Sequence, residues 1–105
     1  MTALPAWISV ALQDRLENVS RAALRERAQA ISDRYRAGGA SDVISSDFDA
    51  LAYAAVRMPA TFAAVRAALD QGIAIVPAFA PQTVLDLGAG PGTASWGAEY
   101  AWPTL

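Results

Sequence analysis

The seven residues Asp86-Leu87-Gly88-Ala89-Gly90-Pro91-Gly92 carry the clearest chemistry in the chain. Their pattern, D-x-G-x-G-x-G, lies between a short apolar run, Thr83-Val84-Leu85-Asp86-Leu87, and a segment from Gly92 to about Ala101 that suits a helix. Residues without side chains let a backbone turn tightly and approach a ligand closely, and a helix starting behind them presents unpaired N–H groups. A nucleotide-like ligand follows. The dinucleotide fingerprint G-x-G-x-x-G/A needs glycine or alanine at position 93, where Thr93 stands, so NAD fits poorly. Asp86 sharpens the choice, because a carboxylate two residues before the first glycine repels a pyrophosphate and attracts a ligand that carries an ammonium and a sulfonium. Opposite charges roughly 4 Å apart at an effective dielectric near 20 attract by about 4 kcal/mol before desolvation is counted.

S-adenosylmethionine has that charge pattern. The acid-plus-glycine segment resembles the first cofactor motif of class I S-adenosylmethionine-dependent methyltransferases, with Asp86, Gly88, Ala89, Gly90 and Gly92 at the cofactor-binding positions. The plainer alternative is a glycine-rich turn with a capping aspartate. A run of residues 83–87 without polar alternation reads as a strand buried on both faces of a parallel sheet. The C-terminal piece is therefore expected to be strand, glycine loop and helix.

Composition removes competing chemistries. The 105 residues contain neither histidine nor cysteine, which excludes disulfides, zinc sites of thiolate or imidazole type, and Cys-His or Ser-His catalytic pairs. Acid-base work is left to carboxylates or tyrosine. No catalytic residue and no metal ligand is assigned. The uncharged stretch from Gln71 to Leu85 holds Pro77 and Pro81 and falls short of the roughly 20 apolar residues of a bilayer span, so no membrane is expected. Acids among the first 20 residues fit neither a secretory signal nor a transit peptide, and a cytoplasmic location is the default expectation. Net charge is -2, without a global basic field.

The elements that must position the loop are mostly helical. Pro5 suits a helix start, with Leu4, Ile8, Ala11 and Leu12 at helical spacing up to about Leu16. Ser20 is the expected N-cap of a second helix whose stripe is Leu24, Ala28, Ile31 and Tyr35, stopped by Gly38 and Gly39. Ser46 and Asp49 resemble a capping box opening a third, with Phe48, Leu51, Ala55 and Met58 on one face, which Pro59 is expected to break. Pro59 then opens a fourth, Phe62, Val65, Leu69, Ile73 and Val76 carrying its period through Gly72; a cap at Gly72 followed by a short strand is the alternative. The expected organisation is a helical domain of about four helices over residues 1–76, a linker at 77–82, and the first β-loop-α unit of a Rossmann-like fold over 83–105.

A wider resemblance rests on Leu4-Pro5, on Tyr35-Arg36-Ala37-Gly38-Gly39, on the run from Ala52-Tyr53 through Arg57-Met58-Pro59-Ala60-Thr61-Phe62 to Val65, and on the glycine loop with Trp96. Together these look like the methyltransferase-like family first known from the mitochondrial small ribosomal subunit, in its bacterial branch. The resemblance implies an N-terminal helical region, a Rossmann-like methyltransferase domain, S-adenosylmethionine as cofactor, and a role tied to small-subunit assembly or translation, with the subunit or its RNA as partner. It also implies a metal or iron–sulfur site on cysteines, of which this sequence has none. The ribose-binding second strand of such a fold comes about 20 residues past the glycines, beyond Leu105. The chain is therefore expected to be a fragment or truncated reading frame, its unpaired strand at 83–87 poorly anchored or paired with a second copy. The readings kept open are part of a methyltransferase, a non-catalytic assembly factor that keeps the fold as a scaffold, and an inert truncation product.

Other residues weigh toward structural roles. Arg21, Arg25 and Arg36 flank one side of the second helix's stripe and Arg27 and Arg34 the other, as arginine stems do when they cover an apolar edge, with RNA contact the alternative. Arg57 suits either an RNA contact or the closing of a helix C-terminus before Pro59. Tyr35 and Tyr53 read as packing residues, Trp7, Trp96 and Trp102 as anchors of small cores. Asp42, Asp47 and Asp49 lack the glycine and terminal glutamate of an EF-hand and read as turn and cap residues.

Overall fold

The computed structural model describes residues 3–39 and 43–105, and Asp42 lies outside them. The described residues form four helices and no strand: α1 (Ala6–Leu16), α2 (Arg21–Arg36), α3 (Asp47–Ile75) and α4 (Thr93–Ala101). They divide into two compact units, one of residues 5–59 and one of residues 3–4 and 60–105. None of the helices is long and apolar enough to cross a membrane.

In the unit of residues 5–59, Pro5 stands at the N-cap of α1, its carbonyl accepting from the amides of Ile8 and Ser9. Asn18, with φ 66°, turns the chain toward Ser20, whose hydroxyl accepts from the Ala23 amide at 3.2 Å and caps α2 as expected. At the other end Gly38 takes φ 90°, Gly38 N–H donates to the Tyr35 carbonyl, and Gly39 N–H donates to that of Arg34 at 2.8 Å. These two bonds form a Schellman closure. Leu24 and Ala28 pack with Ala52 of α3 as the core, and Leu16, Val19 and Leu51 close over it. Alanine at the contact lets the two backbones approach closely.

The third and fourth expected helices are one. Ser46 Oγ accepts from the Asp49 amide at 3.1 Å, so the predicted entry to α3 holds, but the helix continues past Pro59 to Ile75. Proline removes the bond that residue 59 would donate to the Ala55 carbonyl, a local loss. Burial of Met58 and Phe62 on its two sides offsets it. The continuation through Gly72 is as the apolar spacing predicts.

In the unit of residues 3–4 and 60–105, α4 packs on the second half of α3. Phe62, wholly buried, meets the edge of Tyr100 with ring centroids 6.2 Å apart, and the Arg66 guanidinium lies 4.5 Å from the centre of the same Tyr100 ring. Arg66 Nη2 bonds Asp70 at 3.1 Å. A side chain at Gly97 would place its Cβ 2.8 Å from Val65 Cγ1, so only glycine permits this approach. Phe79, in the turn after α3, meets Trp102 edge-on at 5.7 Å.

The expected strand at residues 83–87, and with it the β-loop-α unit, is absent from the described residues. Leu85 and Leu87 are each 83% exposed. The reason is physical: a parallel strand is stable only when neighbours take up its N–H and C=O groups and both its faces are covered. No backbone hydrogen bond joins residues 83–87 to another described segment.

Candidate functional site

The glycine loop folds as a turn that runs directly into α4. Gly88, Gly90 and Gly92 take φ of 67°, 57° and 81°, a region that favours residues without a Cβ. At Gly88 and Gly90 an added Cβ meets nothing within 4 Å, so these positions face open space. Gly92 is the N-cap of α4; its N–H donates to the Ala89 carbonyl at 2.9 Å and its carbonyl accepts from the Trp96 amide at 2.9 Å. The indole Nε1–H of Trp96 donates to the Pro91 carbonyl at 3.0 Å, fastening the turn to the helix. Trp96 thus anchors the loop from within its own helix.

Asp86 is brought to the same place. Its Oδ2 accepts from the Ser95 hydroxyl, nine residues on, at 2.8 Å. Ser95 escaped sequence reasoning; the signal that finds it is a hydroxyl in the first turn of the helix the glycines open. The loop gathers one carboxylate, the bare backbone of Gly88 to Gly90, and the positive end of α4. The Asp86 carboxylate keeps acceptor capacity beyond its bond from Ser95. Among the described residues no group of three or more histidine, cysteine, aspartate or glutamate side chains suits a metal ion.

A second polar feature lies between α2 and the first half of α3. Ser32, Tyr35, Arg36, Tyr53 and Arg57 line a cavity of about 320 Å³. Tyr35, expected on the buried stripe, is 42% exposed. Arg57 does not close a helix end, since α3 runs on well beyond it. Arg36 makes a 3.6 Å ion pair with Asp33 in which both side chains are mostly exposed. Another cavity of about 250 Å³ in the same unit is lined by Leu16, Arg21, Leu24, Arg25, Ala55 and Val56.

Arg27 departs from its expected role of covering an apolar edge. It pairs with Asp49 through Nε–Oδ1 and Nη2–Oδ2 bonds, and Asp49 accepts as well from the Ser45 amide and hydroxyl. The Arg27 bond, then the Ser45 amide, hold the Asp49 carboxyl well below the usual aspartate range; the same bond raises the Arg27 value. This ion pair ties α2 to the start of α3.

Residues 47–105, from the start of α3 through α4, match the family described as Mitochondrial small ribosomal subunit Rsm22, and the chain belongs to that family. It is also similar to the human Ribosome assembly protein METTL17, mitochondrial, with 44% identity over 52 residues. That match covers 50% of this chain and 11% of the human protein. No solved structure matches the chain.

Proposed function

We propose that this chain acts in the assembly of the small ribosomal subunit, with that subunit as its partner, and that the loop from Asp86 to Gly92 receives the amino-acid end of S-adenosylmethionine. The family description and the printed name of the human relative support the first part. One observation carries the second: three glycines in left-handed conformations, two of them facing open space, run into a helix N-terminus beside a carboxylate. Asp86 attracts the ammonium and the α4 end favours the carboxylate of the methionine moiety. The bound group supplies an activated methyl; this chain's residues orient it. Titration calorimetry with S-adenosylmethionine tests the loop, with saturable binding expected and its loss in a G88A/G90A variant. Heat indistinguishable from dilution overturns the cofactor part.

A second reading is favoured by the Ser95 hydroxyl on Asp86 Oδ2, a bond between the chain's own side chains that fastens the start of the loop to α4. The loop is then a structural joint of a non-catalytic assembly factor. Cosedimentation with small-subunit particles, joined to absence of cofactor binding, selects it.

A further inference from the structure

Arg21 and Arg25 open α2 beside an apolar hollow. Leu16 at the end of α1, Leu24 of α2, and Ala55 and Val56 of α3 supply its apolar lining, and the two arginines complete it. We infer that this hollow is a docking site for an acidic peptide of a partner protein, with one apolar side chain seated among Leu16, Leu24, Ala55 and Val56 and flanking carboxylates on the Arg21 and Arg25 guanidinium groups. The inference goes beyond the proposed function and is independent of the glycine loop.

The chain leaves this end of α2 electrostatically uncompensated. Arginine is the first and the fifth residue of the helix, and no acid occupies its first turn. Cations are disfavoured at the positive end of a helix, and like charges at i and i+4 repel. Among the described residues neither arginine forms an ion pair, whereas Arg27 is committed to Asp49 and Arg66 to Asp70. The nearest acids in sequence, Glu17 and Glu26, are exposed and lie outside the lining. Two guanidinium forks with no carboxylate beside them call for an anion, and their planar geometry suits carboxylate oxygens.

Packing within the chain does not fill the hollow. Arginine stems at these positions are expected to cover the apolar edge of the α2 stripe, yet about 250 Å³ stays open beside Leu24, and Val56 is 40% exposed. That volume falls below the range of small-ligand pockets and is the scale of one anchoring side chain rather than of a cofactor or a lipid chain. The lining holds no aromatic ring on which a base could stack, so a nucleic acid strand would leave the apolar part unused. An apolar anchor with carboxylates that reach two arginines one helical turn apart is the pattern of an acidic amphipathic peptide.

The test is fluorescence anisotropy of the whole chain with short labelled peptides of glutamate and alanine that carry leucine, isoleucine, valine or phenylalanine at the centre. At least one is expected to bind saturably, and to weaken at least tenfold both when its central residue becomes serine and when its glutamates become glutamine. R21Q/R25Q should weaken binding at least tenfold. V56E, at an exposed position, should do the same by setting a like charge in the hollow. The charge-matched R15Q/R34Q variant should retain near-native affinity, and circular dichroism confirms the fold of each. Absence of saturable binding by every peptide overturns the site. So does equal affinity for the serine peptide, which reduces the attraction to charge alone, or equal binding by R21Q/R25Q and the parent. Sedimentation equilibrium of the chain by itself addresses the other occupant: self-association that V56E abolishes overturns the partner assignment and makes the hollow an interface between copies.

Discussion

Arg27 and Asp49 stand 22 residues apart in the chain and meet through two parallel hydrogen bonds, with the Asp49 carboxylate buried to 2% exposure and satisfied further by Ser45. The folded-state value of Asp49 is depressed below the ordinary 3.8. Its contribution to stability is therefore complete above about pH 4 and is lost as the pH falls toward the folded value. Urea unfolding from pH 7 to pH 2 should show a steep acid decline. D49N should lower Tm by several degrees at pH 7 and flatten that decline; an unchanged pH profile in D49N contradicts the assignment.

Pro59 inside α3 carries a penalty that alanine would remove. P59A should stabilise the chain by up to about 3 kcal/mol, the difference between the two residues in a helix interior, read from urea denaturation. A lower stability in P59A would mean that the proline ring packs where its lost hydrogen bond matters less.

The loop glycines separate strain from ligand contact. G88A and G90A each meet open space, so only backbone conformation opposes them and each should lose about 1–2 kcal/mol of stability. On the proposed reading D86A removes the charge partner of the donor's ammonium and should weaken S-adenosylmethionine roughly tenfold, about 1.4 kcal/mol. Unaltered affinity in D86A rules out a role for that carboxylate in the cofactor site.

Gly97 answers to space alone. G97A drives its Cβ to 2.8 Å from Val65 Cγ1, against a stiff β-branched side chain. Destabilisation of about 1–3 kcal/mol is expected from overpacking, and V65A/G97A should recover part of it. Failure of the second change to relieve the first would place the strain elsewhere.

Residues 83–87 have no ladder, so their amides should exchange fast. Hydrogen exchange on a dilute sample should show Val84 to Leu87 near the unprotected rate while Leu24, Ala28 and Phe62 stay protected. Protection that rises with protein concentration indicates pairing with a second copy; strong protection in a proven monomer defeats the assignment of this segment as unpaired.

The helices were legible where local rules act alone. Ser20, Ser46 and the Gly38-Gly39 pair announce ends by their own side chains or lack of them, and these ends stand. Pro59 misled because its penalty is local while the burial of Met58 and Phe62 that outweighs it is tertiary. The 83–87 run reads as a strand by composition, yet strandhood depends on partners that the run itself does not encode. At the candidate site the glycines and Asp86 were visible as a pattern. Ser95 was missed although a hydroxyl in the first turn of α4 marks it, whereas the Arg27–Asp49 pair and the shared lining of Tyr35 and Tyr53 depend on positions far apart in the chain.

The indole of Trp96 spans from its own helix to the Pro91 carbonyl and lies against Gly92, 3.1 Å from the Cβ that an alanine there would carry. An aromatic reporter is thus wired into the glycine turn. With Trp7 and Trp102 replaced by phenylalanine, its emission becomes a built-in gauge of that turn, reading any displacement of the glycines as a change in colour or brightness without an added dye.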